Sequence, residues 1–205
     1  LKASELIARL NSKTLESGKK YAVITFDDGN DGFYRNGVPI LEKYNLKATF
    51  YIYPSIIFAR EKGRHKSYMR WKEIRELAHR KNFEMGSHAY YHPYMTKISG
   101  YELRQNTEKA KQMLKKQTGI DAVTFAYPFG SYNNEAIAWL QKTGFEGAFA
   151  LETGKEINYG VDRFIIPRYM MLRHIKIPEF DKIVHNQHYE KVANHKKTKK
   201  IKNKK

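Results

Sequence analysis

Short runs rich in β-branched and aromatic residues alternate with segments of helical periodicity along this chain, and that alternation limits the architectures open to it. Residues 21–26 (YAVITF), 47–53 (KATFYIY), 83–86 and 122–127 read as strands, and 147–151 and 164–171 as two more. Helices are expected over 4–10, with Ser4 as N-cap, over 33–44, with Pro39 in the first turns, and over 71–81, 100–117 and 133–143. Gly119 and Gly144 stand where C-cap glycines belong. Residues 60–70 read as a basic loop. Strands alternating with helices predict an α/β fold, a parallel sheet with helices outside. In such folds the reactive side chains gather at the C-terminal ends of the strands. Three polar clusters stand there: Asp27-Asp28, residues 87–92 and residues 127–130.

The length of 205 residues suits one domain, assigned to 1–186, followed by a basic tail at 187–205 that reads as disordered. The formal charge is +17, and about half of the excess sits in eight lysines between Lys191 and Lys205, where no acidic residue occurs. Basic charge attracts nucleic acid, anionic membranes or acidic polymers. No nucleic-acid motif accompanies it, so an anionic cell-envelope surface is the expected partner of the tail and no specific nucleic acid is expected. There is no cysteine, which excludes disulfides and thiolate chemistry. No run approaches the roughly 20 apolar residues of a membrane span. Because the chain begins at Leu1 rather than Met, the lack of a leader pattern says nothing about export. A monomer is expected.

Thr25-Phe26-Asp27-Asp28-Gly29 places two adjacent carboxylates at a strand end, where they repel unless a cation or a shared proton relieves them. A solvated Asp-Asp-Gly turn accounts for this cluster equally well on its own. Ser87-His88-Ala89-Tyr90-Tyr91-His92-Pro93 holds two histidines four apart, as on one face of a helical turn, a spacing that suits one metal ion. Two imidazoles and a carboxylate together make a three-ligand site with positions left open. Zn²⁺ fits such donors best, with Co²⁺, Mn²⁺, Ni²⁺ or Fe²⁺ as alternatives. A second carboxylate beside the ligands suits a base acting on water.

These residues resemble the polysaccharide deacetylase family, the NodB-homology domains of carbohydrate esterase family 4. The family's T-F-D-D-G motif stands intact at Thr25 to Gly29. Its H-[ST]-x-x-H motif is matched by His88 and His92, with Ala89 in place of Ser or Thr. Its R-x-P-[FY]-G motif aligns with Ala126-Tyr127-Pro128-Phe129-Gly130, a form closer to the branch containing poly-N-acetylglucosamine deacetylases. The resemblance implies a distorted (β/α) barrel of about seven parallel strands. It also implies a metal-dependent hydrolase that removes acetyl groups from N-acetylglucosamine-containing polysaccharide (exopolysaccharide, peptidoglycan or chitin-like), outside the cytoplasm. By motif position Asp27 is the base and Asp28, His88 and His92 are the metal ligands. The Phe129 N–H holds the oxyanion, and Tyr127, Pro128 and Gly130 shape the substrate groove.

Two departures stand out. Ala126 replaces the Arg that contacts the base in most members, and Ile166-Pro167-Arg168 is expected to bring Arg168 to Asp27 instead. The family's D-x-x-D-W motif is not visible, and Leu172-Arg173-His174 offers His174 as the general acid of the L-x-H motif. Tyr90, Tyr91, Tyr127 and Tyr132 are candidates for stacking on sugar rings or for packing. A non-catalytic carbohydrate-binding domain on the same fold is the alternative reading.

Overall fold

A computed structural model of the chain describes residues 1–151, 157–172 and 174–185. The tail expected at 187–205 lies outside the described residues. Five strands, β1 (Ile24–Phe26), β2 (Ala48–Ile52), β3 (Phe83–Ser87), β4 (Thr124–Ala126) and β5 (Gly147–Phe149), form one parallel sheet in chain order. Each crossover therefore steps to the same side. Right-handed crossovers that never reverse put their helices on one face and leave the other to curl upon itself, as in a barrel. The α/β half-barrel agrees with the expected fold class, with five strands among the described residues rather than about seven. The strand expected at 164–171 contracts to a single parallel bridge between Ile166 and Phe149. Ile166 exchanges bonds with Ala148 and Ala150 (2.9 and 2.8 Å), and Pro167 then has no N–H to continue a ladder.

The helices are α1 (Ala3–Ser12), α2 (Val38–Lys43), α3 (Pro54–Glu61), α4 (Trp71–Ala78), α5 (Gly100–Arg104), α6 (Ala110–Thr118), α7 (Asn134–Lys142) and α8 (Ile177–Val184). Sequence periodicity missed α3 and α8. The expected 33–44 helix opens with a π turn (Phe33–Gly37) before α2, and the long helix at 100–117 carries a π turn (Gln105–Lys109) between α5 and α6. The period-2 alternation of the strands sorts the two faces. Phe50, Ile52, Phe83 and Met85 turn outward onto Val38, Leu41, Trp71, Ile74 and Leu77 of the helical layer. Tyr51, Ala126 and Phe149 turn inward, onto Ile7 and Leu10 of α1.

The first turn of α1 docks on the inner face. The N–H groups of Ala3 and Ser4, which have no partner inside the helix, donate to Thr49 Oγ1 (2.9 Å) and Glu84 Oε2 (3.2 Å). Ser4 is thus not the cap: Lys2 holds that position, and the Ser4 hydroxyl donates to Glu84. Above this layer Tyr51 lies across β3, where Gly86 leaves room for it. A Cβ at Gly86 would come within 2.3 Å of the Tyr51 ring and 2.9 Å of Thr124 Oγ1. Gly86→Ala is therefore expected to cost about 1–3 kcal/mol of stability through overpacking. Urea unfolding measures this, and an unchanged midpoint would contradict the packing described.

Candidate metal centre

Asp27 and Asp28 follow β1 directly. Phe26 points outward and packs on Phe33 and Phe50, so strand parity sends Asp27 inward, as it does Thr25. Parity alone would send Asp28 away from Asp27. Instead Asp28 (φ 71°) and Gly29 (φ 73°) adopt left-handed conformations, and the chain turns so that both carboxylates face one site. Met69 N–H closes the turn by donating to Gly29 O (2.9 Å).

His88 leaves the end of β3 on the inner parity of Glu84 and Gly86. It is buried, and its Nδ1 lies 2.7 Å from the Ala126 carbonyl. A carbonyl only accepts, so Nδ1 carries the proton and the Nε2 lone pair is left for a ligand. Burial pushes the His88 pKa down, although Asp27 opposes this, and so favours the neutral form that a metal ligand must have. His92 does not share a helical turn with His88, contrary to the spacing argument. Ala89 and His92 both have φ of 61°, and this left-handed loop folds the two rings together. Asn106 pins the loop: its Oδ1 accepts from Tyr90 N–H (3.2 Å) and Tyr91 N–H (2.9 Å), while its Nδ2 donates to Glu102 O. The π turn carries Asn106, as such turns often do for functional residues.

Asp28 Oδ1 lies 3.2 Å from His92 Nε2 and 3.5 Å from His88 Nε2, and the two Nε2 atoms are 3.1 Å apart. Donors bound about 2.0–2.2 Å from one ion at tetrahedral or right angles stand roughly 3.0–3.5 Å from each other, so the three atoms have the spacing of one coordination sphere. Asp28 Oδ1 is buried with no hydrogen-bond partner, an orphan that a cation would satisfy. The donor set and its geometry fit a divalent metal.

Asp27 lies beside this triad, with Oδ2 3.8 Å from His88 Nε2. Arg168 grips it with two parallel bonds, Nη1 to Oδ1 at 2.8 Å and Nη2 to Oδ2 at 2.9 Å. Nη1 also donates to Thr25 Oγ1 (3.1 Å), and the guanidinium lies 5.5 Å above the Tyr51 ring centre. Burial alone would raise the Asp27 pKa, but the Arg168 charge and hydrogen bonds outweigh it and hold the carboxyl below its usual value. The cation beside Asp27 thus arrives from beyond β5, and β4 offers only the small, buried Ala126.

Of the four groove residues expected at 127–130, only Phe129 presents a side chain to solvent. Tyr127 and Pro128 are buried, Tyr127 against Phe125 and Tyr132, so its ring supports the loop and cannot stack on a sugar. Tyr90 is buried too, whereas Tyr91 is exposed. Phe129 (φ 58°) packs edge-on against His92 (4.6 Å) and stacks on exposed Tyr94 (4.1 Å, 13°). Gly130 (φ 67°) lies where a Cβ would strike Leu151 N at 2.7 Å, which holds the loop against β5. His174 lies in a turn closed by Ile175 N–H to Leu172 O (2.9 Å). Its Nε2 is buried without a partner, and no bond joins it to Asp27, Asp28 or the ligand histidines. Arg173 lies outside the described residues. Sequence reading missed Tyr94, Asn106 and Tyr53, whose ring lies 5.0 Å from that of His92, and it named Thr25 only as a member of the T-F-D-D-G motif and not as a partner of Arg168. Only Asn106 left a signal, a lone Asn in a helix at a position otherwise apolar.

Because Asn106 fixes the loop and not the metal itself, Asn106→Ala is expected to weaken zinc affinity by about 10–100-fold while the fold persists. Competition against a chromogenic chelator measures it, and wild-type affinity would show that the loop holds without Asn106.

Residues 14–148 match the family model described as polysaccharide deacetylase. The chain is 26% identical over 161 residues to the poly-beta-1,6-N-acetyl-D-glucosamine N-deacetylase of Staphylococcus aureus, a match covering 75% of this chain and 55% of that protein. It is 25% identical over 198 residues to the Escherichia coli protein of the same name, covering 79% of this chain and 29% of that one. The chain thus spans less than two thirds of these relatives. Among solved structures, the deacetylase PplD of Streptococcus pyogenes, in complex with acetate, superposes with a TM-score of 0.77 at 23% identity, covering 88% of this chain and 77% of that one. That likeness speaks for the fold, and the family match over residues 14–148, which takes in Asp27, Asp28, His88 and His92, for kinship: the chain belongs to the polysaccharide deacetylase family.

Proposed function

We propose that the chain is a metal-dependent hydrolase that deacetylates N-acetylglucosamine-containing polysaccharide, acting outside the cytoplasm where such polymers lie. One observation carries the reading above all: a three-donor cluster with a buried orphan oxygen stands beside a carboxylate that Arg168 holds in place and keeps ionised. The names of the relatives supply the polymer class. Among the described residues no helix is long and apolar enough to cross a membrane.

Asp28, His88 and His92 would hold the cation, with zinc first and cobalt, manganese, nickel or iron as alternatives. Bound there, it would polarise the acetyl carbonyl and ease deprotonation of water. Asp27 takes the proton of the attacking water, and Arg168 fixes the carboxylate's direction through both oxygens. By its motif position the Phe129 N–H would donate to the developing oxyanion. Exposed Phe129 and Tyr94 offer an aromatic wall to the sugar. His174, with its unpartnered Nε2, protonates the leaving amine.

Acetate release from N-acetylglucosamine oligomers, abolished by chelator and restored by zinc, is the primary test. Binding without turnover would favour the non-catalytic domain. Asp27→Asn is expected to lower kcat by about a hundred- to ten-thousandfold and to retain the metal, judging from losses typical of an acid–base group. Loss of metal in that variant would mean that the two aspartates exchange roles. Arg168 depresses the Asp27 pKa, so Asp27 stays ionised, and the base competent, to a pH below the ordinary carboxylate value. Arg168→Met removes the cation and raises that pKa, so the acid limb of kcat/KM moves to higher pH. An unmoved limb would exclude Arg168 as the group that tunes the base.

A further inference from the structure

The charges that none of these steps uses lie on the rim of the same centre. Residues 60–70, from the end of α3 to the start of α4, carry Arg60, Lys62, Arg64, His65, Lys66 and Arg70 against one acidic residue, Glu61. Glu61 is occupied at α4, where it accepts from Trp71 N–H (3.0 Å), and Arg60 Nε donates to Tyr68 O (3.1 Å) within the segment. Lys62, Arg64 and Lys66 are exposed and meet no carboxylate among the described residues.

A basic segment by itself is an ordinary solvated face, but two observations distinguish this one. First, it is tied to the metal-ligand turn: Met69 N–H donates to Gly29 O (2.9 Å) and Asp31 N–H to Ser67 O (2.8 Å), around an antiparallel bridge between Asn30 and Tyr68. Second, a run of six rings starts in it and passes through the metal centre. His65 meets Tyr68 (6.2 Å), Tyr68 meets Tyr53 (6.2 Å) and Tyr53 meets His92 (5.0 Å). Phe129 and Tyr94 follow on the other side, and the Lys97 ammonium lies 5.0 Å from the Tyr94 ring centre. An aromatic strip therefore crosses the centre with unneutralised cations at both ends.

Aromatic faces suit the apolar faces of sugar rings. The flanking cations add nothing for a neutral chain and repel a deacetylated, cationic one, but within a Debye length they attract anions. We propose that this strip takes an acidic glycan: an N-acetylated polysaccharide whose sugars carry carboxylate or phosphate groups, met by the 62–66 segment on one side of the reacting residue and by Lys97 on the other. This rests on the deacetylase reading of the centre.

The test compares three sets of N-acetylglucosamine oligomers: neutral, oxidised to carboxylate at the primary hydroxyls, and phosphorylated there. At low salt kcat/KM on an acidic set is expected to exceed that on the neutral set by about tenfold or more, with the advantage vanishing at high salt. The preferred acidic set identifies the anion. Arg64→Gln/Lys66→Gln is expected to erase most of the advantage, and the control Lys115→Gln/Lys116→Gln on α6 to leave it. Equal use of neutral and acidic oligomers overturns the proposal. So does an advantage that survives Arg64→Gln/Lys66→Gln, or inhibition by oligouridylate as strong as by the acidic glycan. If no set releases acetate, the deacetylase reading falls separately. Calorimetric affinity then decides the anion reading: tighter binding of an acidic set supports it, and equal binding overturns it.

Discussion

The ion pair between Asp27 and Arg168 joins residues 141 positions apart, across the two borders of the sheet. Asp27 follows β1, at one border. Arg168 follows the single bridge beyond β5, at the other. Strands about 4.8 Å apart would put these borders roughly 24 Å from each other in a flat sheet. Bonds of 2.8 and 2.9 Å are possible only because the sheet curls until its ends meet across Tyr51. Arg168 is the more deeply buried partner, and without Asp27 its charge would be left buried and unpaired, which is costlier than the pair itself. Closure of the half-barrel and orientation of the base are thus one contact. Because the Asp27 pKa is depressed in the folded chain, the stability this contact contributes is present above the ordinary carboxylate pKa and fades as pH falls through the lowered value.

The rim shows a second constraint. Asp28, Ala89, His92 and Phe129 are four of the seven non-glycine residues with left-handed backbone among those described, and all four border the metal centre. Each such conformation costs on the order of 1 kcal/mol or more and persists only where surrounding contacts impose it. Those contacts are visible: Met69 on Gly29, Asn106 on Tyr90 and Tyr91, and Leu151 against Gly130. The aim of the ligands is therefore set by the loops' backbone, which in turn leans on elements remote in sequence.

This explains how much could be read without coordinates. The parallel α/β class, four of the strands near their true limits, the order of the clusters and the gathering of Asp27, Asp28, His88 and His92 at the strand ends were all legible, because side-chain periodicity and motif spacing are local properties. The helical turn imagined for His88 and His92 was not there, since H-x-x-x-H spacing has no means of announcing a left-handed residue at Ala89. Tyr127 read as a groove residue and turned out to be buried, because the strand parity that carries Ala126 inward and Phe125 outward is invisible until the sheet has a core side. α3 hid behind Pro54 and a basic run, although Pro is well placed in a first helical turn.

The sequence by itself determined which chemical groups are available and the order in which they reach the strand ends: two carboxylates after β1, two imidazoles after β3, a Pro-Phe-Gly turn after β4. The tertiary structure decided which of them meet. It brought Arg168 to Asp27 across the curled sheet, returned Asp28 to the histidines through a left-handed turn, and left Phe129 and Tyr94 exposed while Tyr127 went under. The physical reason is range: periodicity and propensity act within a few residues, whereas curl, parity and left-handed turns are imposed by contacts between segments as far apart as β1 and Arg168.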